Sequence, residues 1–242
     1  GFSSIEDAWT LMGHTNKRMN PNSRGRFNIG EKEIISIAKQ ATIRTSGKII
    51  HFPKEGGRSV RKDANPIKGT TVECIVPWGP RQVEECAVKL KELLPPENME
   101  YFVNGEKVNY VKPLRVVEGT LDTVIQASMD EPMRNTRRKA QIEIYNGALS
   151  GHKVYEMGIP IQDVECQFSI NILQKVPMPP NRDVCRDKYL KELYAIVATN
   201  MMDYVPDDKA SDGWLRLAVE SGQLTKETVE TIKGKRFGKK VV

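Results

Sequence analysis

The chain has 242 residues, 39% of them hydrophobic, and a formal net charge of +6. No apolar run approaches the roughly 20 residues of a membrane-spanning helix, and no secretory signal peptide is visible. The four cysteines (Cys74, Cys86, Cys166 and Cys185) form no C-x-x-C pair, and the three histidines are equally scattered. Neither a disulfide framework nor a zinc site is indicated, so we expect a protein of the reducing cytoplasm.

The most informative stretch is a glycine- and arginine-rich run that leads directly into an apolar helix pattern. It reads Arg24-Gly25-Arg26-Phe27-Asn28-Ile29-Gly30, and the apolar residues Ile34, Ile35 and Ile37 follow. Glycine lets the backbone approach an anion closely, and the first N–H groups of a helix point towards a phosphate placed there. The run therefore predicts a phosphate-binding turn.

The spacing of Gly25 and Gly30 matches the P-loop pattern G-x-x-x-x-G-K-[ST], but the surrounding residues do not. Glu31 occupies the lysine position, and no serine or threonine follows Lys32 at the position that would hold magnesium. The residues before the run are polar and do not form a strand pattern. We therefore exclude a P-loop.

A different family matches the order of the motifs over roughly residues 1–78. Gly1-Phe2, Gly13-His14-Thr15-Asn16-Lys17, the Gly25–Gly30 run and Gly69-Thr70-Thr71-Val72 together resemble the GHKL ATPases. This family includes the gyrase B subunit, the ninety-kilodalton heat-shock chaperone, histidine kinases and MutL. In it, one glycine box contacts adenine, a mobile lid covers the nucleotide, a second glycine box binds the phosphates, and a Gly-Thr strand closes the pocket floor. By this resemblance, residues 3–24 correspond to the lid.

The resemblance also implies the residues that contact ATP. They belong to the two boxes, the lid and the Gly-Thr strand, and are Gly1, Lys17, Gly25, Arg26, Phe27, Asn28, Ile29, Gly30 and Thr71. The family's glutamate base, its asparagine ligand for Mg²⁺ and its adenine-binding aspartate would lie upstream of Gly1. We therefore expect a fragment of an ATPase that does not hydrolyse ATP alone, and we assign it no metal ligand.

The fold class that we expect is α+β, in three parts. By the resemblance, residues 1–96 form a GHKL (Bergerat-type) ATP-binding α/β sandwich without its N-terminal part. Residues 97–205 then form a transducer-like α/β domain, and residues 206–242 a helical, basic segment.

Local patterns predict the individual elements. Hairpins are expected to turn at Ser46-Gly47 and Asn104-Gly105. Helices are predicted over 31–39, 83–94, 187–202, 214–218 and 225–232. Strands are predicted over 41–45, 48–52, 70–77, 99–103, 107–111, 139–145, 153–157 and 165–173. Residues 53–68 show no apolar period and are predicted to be a loop.

A proline-rich loop from Leu173 to Asp183 joins a predicted strand to a predicted helix. In several GHKL proteins the domain after the ATPase module supplies a cation to the γ-phosphate. The gyrase, topoisomerase VI and MutL branches use a lysine, and the chaperone branch uses an arginine. By that resemblance Lys175 is the first candidate and Arg182 the second, each neutralising charge on the transferred phosphoryl group. The alternative is a pair of surface cations at a strand end.

Two functions remain open. The first is an ATP-driven switch or clamp, in which ATP closes the lid and docks the second domain, and which acts on DNA or on a client protein. The second is a non-catalytic nucleotide-binding or interaction module that contacts nucleic acid or protein through the basic segments 53–68 and 233–240. Neither segment has the interleaved aromatic residues of a single-strand stacking platform. A homodimer is left open, and no membrane partner is expected.

Overall fold

The computed structural model describes residues 5–9, 16–25, 30–127, 131–146, 151–179 and 184–238. The chain is an α+β protein that divides into two compact units. Unit 1 comprises residues 1–18 and 25–86, and unit 2 comprises residues 19–24 and 87–242. The division falls after Cys86, ahead of the boundary at 96 expected from the sequence, and it assigns the six residues before Gly25 to unit 2.

Unit 1 is built on a four-stranded antiparallel sheet in the order β3-β2-β1-β4. Its strands are β1 (Gln40–Thr45), β2 (Lys48–Phe52), β3 (Ser59–Lys62) and β4 (Thr70–Ile75). Helix α1 (Gly30–Ile37) precedes the sheet, and helix α2 (Pro80–Lys91) follows it and continues into unit 2. Ser46 and Gly47 have φ angles of 49° and 70°, which the predicted two-residue hairpin turn between β1 and β2 requires.

The core of unit 1 lies on one face of this sheet. Side chains alternate along β1 and β2, so that Ile43 and Ile50 point to the same face and are completely buried there. Ala8, from the short 3₁₀ helix Ile5–Ala8, and Ile35 of α1 pack against them. We call this surface of the sheet the α1 face.

The structure corrects the prediction that residues 53–68 form only a loop. Strand β3 pairs antiparallel with β2 within this segment and forms an edge of the sheet. All four residues of β3 are exposed. The strand therefore shows none of the apolar alternation by which a half-buried strand is recognised.

Unit 2 contains a hairpin and a five-stranded sheet in the order β10-β9-β11-β8-β7. The hairpin joins β5 (Tyr101–Val103) to β6 (Glu106–Val108) through Asn104 and Gly105, as predicted. The sheet consists of β7 (Arg115–Ile125), β8 (Arg134–Asn146), β9 (Lys153–Glu156), β10 (Ile159–Asp163) and β11 (Phe168–Ile172). Three helices follow, α3 (Asp187–Met201), α4 (Gly213–Glu220) and α5 (Lys226–Phe237).

One continuous core joins the five-stranded sheet to α3 and α4. Ile142 and Ile170 from the sheet, Leu193 from α3 and Trp214 from α4 are all completely buried. The ring of Trp214 meets Phe168 and Tyr194 edge-on, at centroid distances of 6.3 and 6.0 Å. None of the described helices is both long enough and apolar enough to cross a membrane.

Candidate functional site

Unit 2 holds residues 19–24, which we call the strap, against the loop that follows β11. The main-chain N–H of Lys175 donates to the carbonyl of Pro21 at 2.8 Å, and its ammonium Nζ donates to the carbonyl of Asn20 at 2.7 Å. From β7, the hydroxyl of Thr123 donates to the carbonyl of Lys175 at 2.8 Å. Lys175 is completely buried by these contacts, so it is not the surface cation of the alternative interpretation.

The strap is itself folded into a turn around Asn20. The N–H of Ser23 donates to the Asn20 carbonyl at 3.3 Å, and the N–H of Asn22 donates to its side-chain oxygen at 2.9 Å. The Asn20 carbonyl therefore accepts hydrogen bonds both from its own turn and from Lys175. This arrangement couples the shape of the strap to the position of the Lys175 ammonium.

A buried carboxylate lies in the same region of unit 2. Glu156, at the end of β9, is 1% exposed and accepts a hydrogen bond from the N–H of Val176 at 2.7 Å. Its charge also attracts the guanidinium of Arg24 at the end of the strap. Beside them, Gly158 has a φ of 82°, and a Cβ there would lie 2.2 Å from the carbonyl of Leu94. Only glycine fits at this point.

A cavity of about 690 Å³ borders the strap in unit 2, and Arg24 lines one side of it. On its floor, the carboxylate of Glu143 accepts hydrogen bonds from the Tyr145 hydroxyl and the Asn171 amide, each at 2.7 Å. Burial, together with the Glu143 carboxylate, raises the pKa of Tyr145 well above its usual value. Tyr145 thus stays protonated as a donor, and Asn22 and Arg24 of the strap both line the cavity.

The two glycines of the predicted phosphate-binding turn differ in their surroundings. Gly25 packs against Lys17, since a Cβ at Gly25 would lie 2.7 Å from the Lys17 Cδ. Gly30 is the exposed first residue of α1, and a Cβ there would meet no atom within 4 Å. Among the described residues, such a Cβ would meet only the flexible side chain of Lys17 at position 25 and no atom at position 30. Close approach of a ligand to the start of α1 is one reason that remains.

The sheet register separates Thr71 from α1. Thr71 is paired with Arg44 on β1, whereas Thr70 is paired with Thr45. Thr45 and Ile43 are two residues apart and share the α1 face, so Thr70 lies on that face and Thr71 lies on the opposite one. The Thr45 and Thr70 hydroxyls are hydrogen-bonded at 2.8 Å. Because side chains alternate along β4, Thr70 rather than Thr71 lies on the face of the sheet against which α1 packs.

Of the remaining predicted site residues, one is described by the structure and six are not. Lys17 is exposed in unit 1, on the short 3₁₀ helix Asn16–Arg18. Six predicted residues lie outside the described part of the chain, namely Gly1, Arg26, Phe27, Asn28, Ile29 and Arg182. Within the part that is described, no group of three His, Cys, Asp or Glu side chains is placed to hold a metal ion.

The chain matches no protein-family model, and no curated protein sequence is significantly similar to it. The functional interpretation therefore rests on the residues of this chain and on their contacts.

Proposed function

We propose that this chain is the nucleotide-responsive part of an ATP-driven switch, in which ATP closes the strap and docks unit 2 through Lys175. The observation that carries the proposal is the double contact of Lys175 with the strap, through Pro21 and Asn20. The strap runs directly into Gly25, the first glycine of the predicted phosphate-binding turn. A ligand that reorders this turn therefore acts on the residues next to those that Lys175 holds.

The charge of the segment supports a polyanionic ligand. Lys17, Arg18, Arg24 and Arg26 lie between residues 14 and 30, where no acidic residue occurs. Phosphate groups at the start of α1 would gain from these cations, from the free N–H groups of the first helical turn and from the helix dipole. Gly30 supports the same position, because no atom of the described residues lies within 4 Å of the Cβ that a larger residue would place there.

Lys175 would then act in two ways. Its main chain stays anchored to Thr123 and Pro21, which holds the loop in place. Its ammonium group, with three N–H donors, would stabilise negative charge on the terminal phosphate and lower the cost of phosphoryl transfer. By the family resemblance the ligand for Mg²⁺ lies upstream of Gly1, so no residue of this chain is assigned to the metal.

The first test measures nucleotide binding by the 242-residue chain. Gly30→Val adds bulk at the start of α1, where the protein itself leaves open space, so the variant should fold normally and lose most of its affinity for ATP in calorimetry. Gly79→Val is the matched control, because Gly79 immediately precedes α2 and no described atom lies closer than 3.9 Å to the Cβ that the substitution adds. Equal ATP affinity in the two variants would remove the phosphate-binding turn from the proposal.

The second test separates ATP from ADP. Lys175→Met keeps the aliphatic stem but removes the ammonium group, and it should weaken ATP binding about ten- to a hundred-fold, since a charge-assisted contact contributes roughly 1.5–3 kcal/mol. ADP affinity should remain nearly unchanged, because ADP lacks the γ-phosphate. Lys209→Ala, an exposed lysine of unit 2, serves as the control, and Arg182→Ala tests the second candidate. If Lys175→Met and Arg182→Ala both leave the ATP preference unaltered, the docking mechanism is wrong.

A further inference from the structure

Four cations of unit 1 lie at one end of its sheet, the end that carries the turn between β1 and β2. Lys48 begins β2, Arg61 and Lys62 end β3, and Lys68 lies two residues before β4. None of these four residues makes a hydrogen bond through its side chain, or an ion pair, with another described residue. We call this group of four residues the cationic end.

The sheet register places two of these charges directly opposite each other. Lys48 on β2 is paired with Lys62 on β3. Directly opposed residues on neighbouring strands have their Cβ atoms about 4.5–5.5 Å apart, and like charges in such a pair are destabilising. The pair lies on the α1 face, beside two hydroxyl groups. Thr45 is paired with Lys48, and its hydroxyl is hydrogen-bonded to that of Thr70.

The carboxylate of Asp63, at this end of the sheet, already binds other groups of unit 1. Asp63 is 6% exposed, receives two N–H groups of Arg44 at 2.9–3.2 Å and accepts a further hydrogen bond from the N–H of Asn65. Burial alone would raise the pKa of Asp63, but the Asn65 N–H and the Arg44 guanidinium outweigh it and hold that pKa below its usual value. Asp63 is therefore ion-paired with Arg44 and also attracts the charge of Arg61. Among the described residues, Lys48, Lys62 and Lys68 are left without a carboxylate partner.

The second basic segment of the sequence is arranged differently. In α5, Lys233 is paired with Glu230 at 2.9 Å, and Lys235 binds Asp207 and the carbonyl of Val205. Arg236 lies over the ring of Phe237 at 5.0 Å. These three cations therefore already have partners within unit 2, whereas Lys48, Lys62 and Lys68 of the cationic end have no ion-pair partner among the described residues. The structure thus distinguishes two segments that composition alone leaves equivalent.

We propose that the cationic end, formed by Lys48, Arg61, Lys62 and Lys68, binds the phosphate backbone of a duplex nucleic acid without reading its sequence. An exposed edge with several unneutralised cations suits a regular array of phosphates, to which each lysine adds one contact and releases counterions. The Arg58 guanidinium covers one face of the Trp9 ring at 4.4 Å, and the basic segment 53–68 contains no aromatic residue on which single-stranded bases could stack. This binding is independent of the proposed response to ATP.

The test uses the whole chain and a short mixed-sequence duplex DNA, with binding followed by fluorescence anisotropy between about 50 and 200 mM salt. Lys48→Gln with Lys62→Gln should weaken binding and reduce the slope of log K against log salt by about 1.8, because each phosphate contact contributes about 0.9. Lys48→Arg with Lys62→Arg should restore both quantities. Lys39→Gln with Lys54→Gln is the control, because it removes two exposed, unpaired charges at the opposite end of the same sheet.

Four results would overturn the proposal. The parent chain could fail to bind duplex DNA at the lowest salt, or the control pair could lose as much affinity as the Lys48 and Lys62 pair. The Lys48 and Lys62 variant could also bind DNA as the parent does and instead aggregate, which would show that the lysines only protect an exposed edge strand. Tighter binding of single-stranded than of duplex DNA would likewise contradict it.

Discussion

Unit 1 and unit 2 differ in how much apolar surface each one buries. Unit 2 has a continuous core in which large side chains from the sheet, α3 and α4 are completely buried. Among the described residues of unit 1, the buried apolar cluster consists of Ala8, Ile43 and Ile50, and Val72 and Ile75 of β4 remain 42% and 54% exposed. By the usual relation between apolar burial and stability, unit 2 is the more stable of the two.

Most of the candidate binding features lie in unit 1, the unit that buries less apolar surface. The glycine turn, α1 and the cationic end all belong to unit 1, whereas unit 2 contributes the anchored residue Lys175 and holds the strap. Segments that respond to ligands are drawn from the less stable parts of proteins, because they must rearrange at low cost. We therefore expect unit 1 to gain order from its ligands and unit 2 to serve as the rigid support.

The largest expected effect tests whether unit 2 is stabilised independently. Trp214→Ala removes a completely buried ring and should destabilise unit 2 by about 3–5 kcal/mol. Hydrogen exchange should then accelerate in α3 and β11 while β1 and β2 exchange as in the parent. Phe237→Ala, at a position that is 62% exposed, is the control and should change neither unit. Equal acceleration in both units would show that they unfold together.

A smaller effect is expected from nucleotide. ATP at about a hundred times its dissociation constant should raise the unfolding free energy of the unit that binds it by about 2.7 kcal/mol. Amides of α1 and β1 should therefore exchange more slowly, and the core of unit 2 should change little. If slowing is confined to unit 2, the ligand site does not lie at the glycine turn.

Local sequence signals were sufficient for much of the fold. The residue pairs Ser46-Gly47 and Asn104-Gly105 adopt positive φ and form the predicted hairpins. Helix α3, predicted over 187–202, is found at Asp187–Met201. Strand β7 was missed, because Gly119 interrupts its pattern. That glycine packs close to α3, since a Cβ there would lie 2.6 Å from Cδ1 of Ile196 and would require that side chain to shift. Such a requirement is visible only in the folded chain.

The contacts of the candidate site were harder to predict from the sequence than the helices and strands were. Lys175 was selected through a family resemblance, but its partner Asn20 lies 155 positions away. The contact is also made to a main-chain carbonyl, which every residue type possesses. No residue pattern can therefore indicate it. The pairing of Lys48 with Lys62 was equally hidden, because it depends on an edge strand without apolar residues.

The pH dependence of unit 1 provides a third, smaller test. Because the folded-state pKa of Asp63 is lowered, its ionised form stabilises the fold above the ordinary aspartate pKa of about 3.9. That contribution is lost as the pH falls through the folded-state pKa. Asp63→Asn should lower the stability of unit 1 at neutral pH and flatten its acid dependence, as followed by hydrogen exchange in β1. Glu73→Gln, exposed on β4, is the control and should leave the acid dependence as it is in the parent.

The smallest predicted effect has the opposite sign and connects stability with binding. Lys62→Glu replaces the like-charged pair with Lys48 by an attractive one, and cross-strand ion pairs contribute roughly 0.2–1 kcal/mol. Unit 1 should become slightly more stable while the chain loses affinity for duplex DNA. Lys54→Glu makes the same change of charge in the loop after β2, without an opposed lysine, and should leave stability unchanged.

Urea titrations of the two variants at low salt measure the difference. If Lys62→Glu raises the stability of unit 1 more than Lys54→Glu does, then the opposed lysines lower the stability of the parent chain. Charges that lower stability are expected at a binding surface, so this result supports the proposal. Equal stabilities would mean that Lys48 and Lys62 do not repel each other in the folded protein, and the physical argument for an anionic partner at this end would fail.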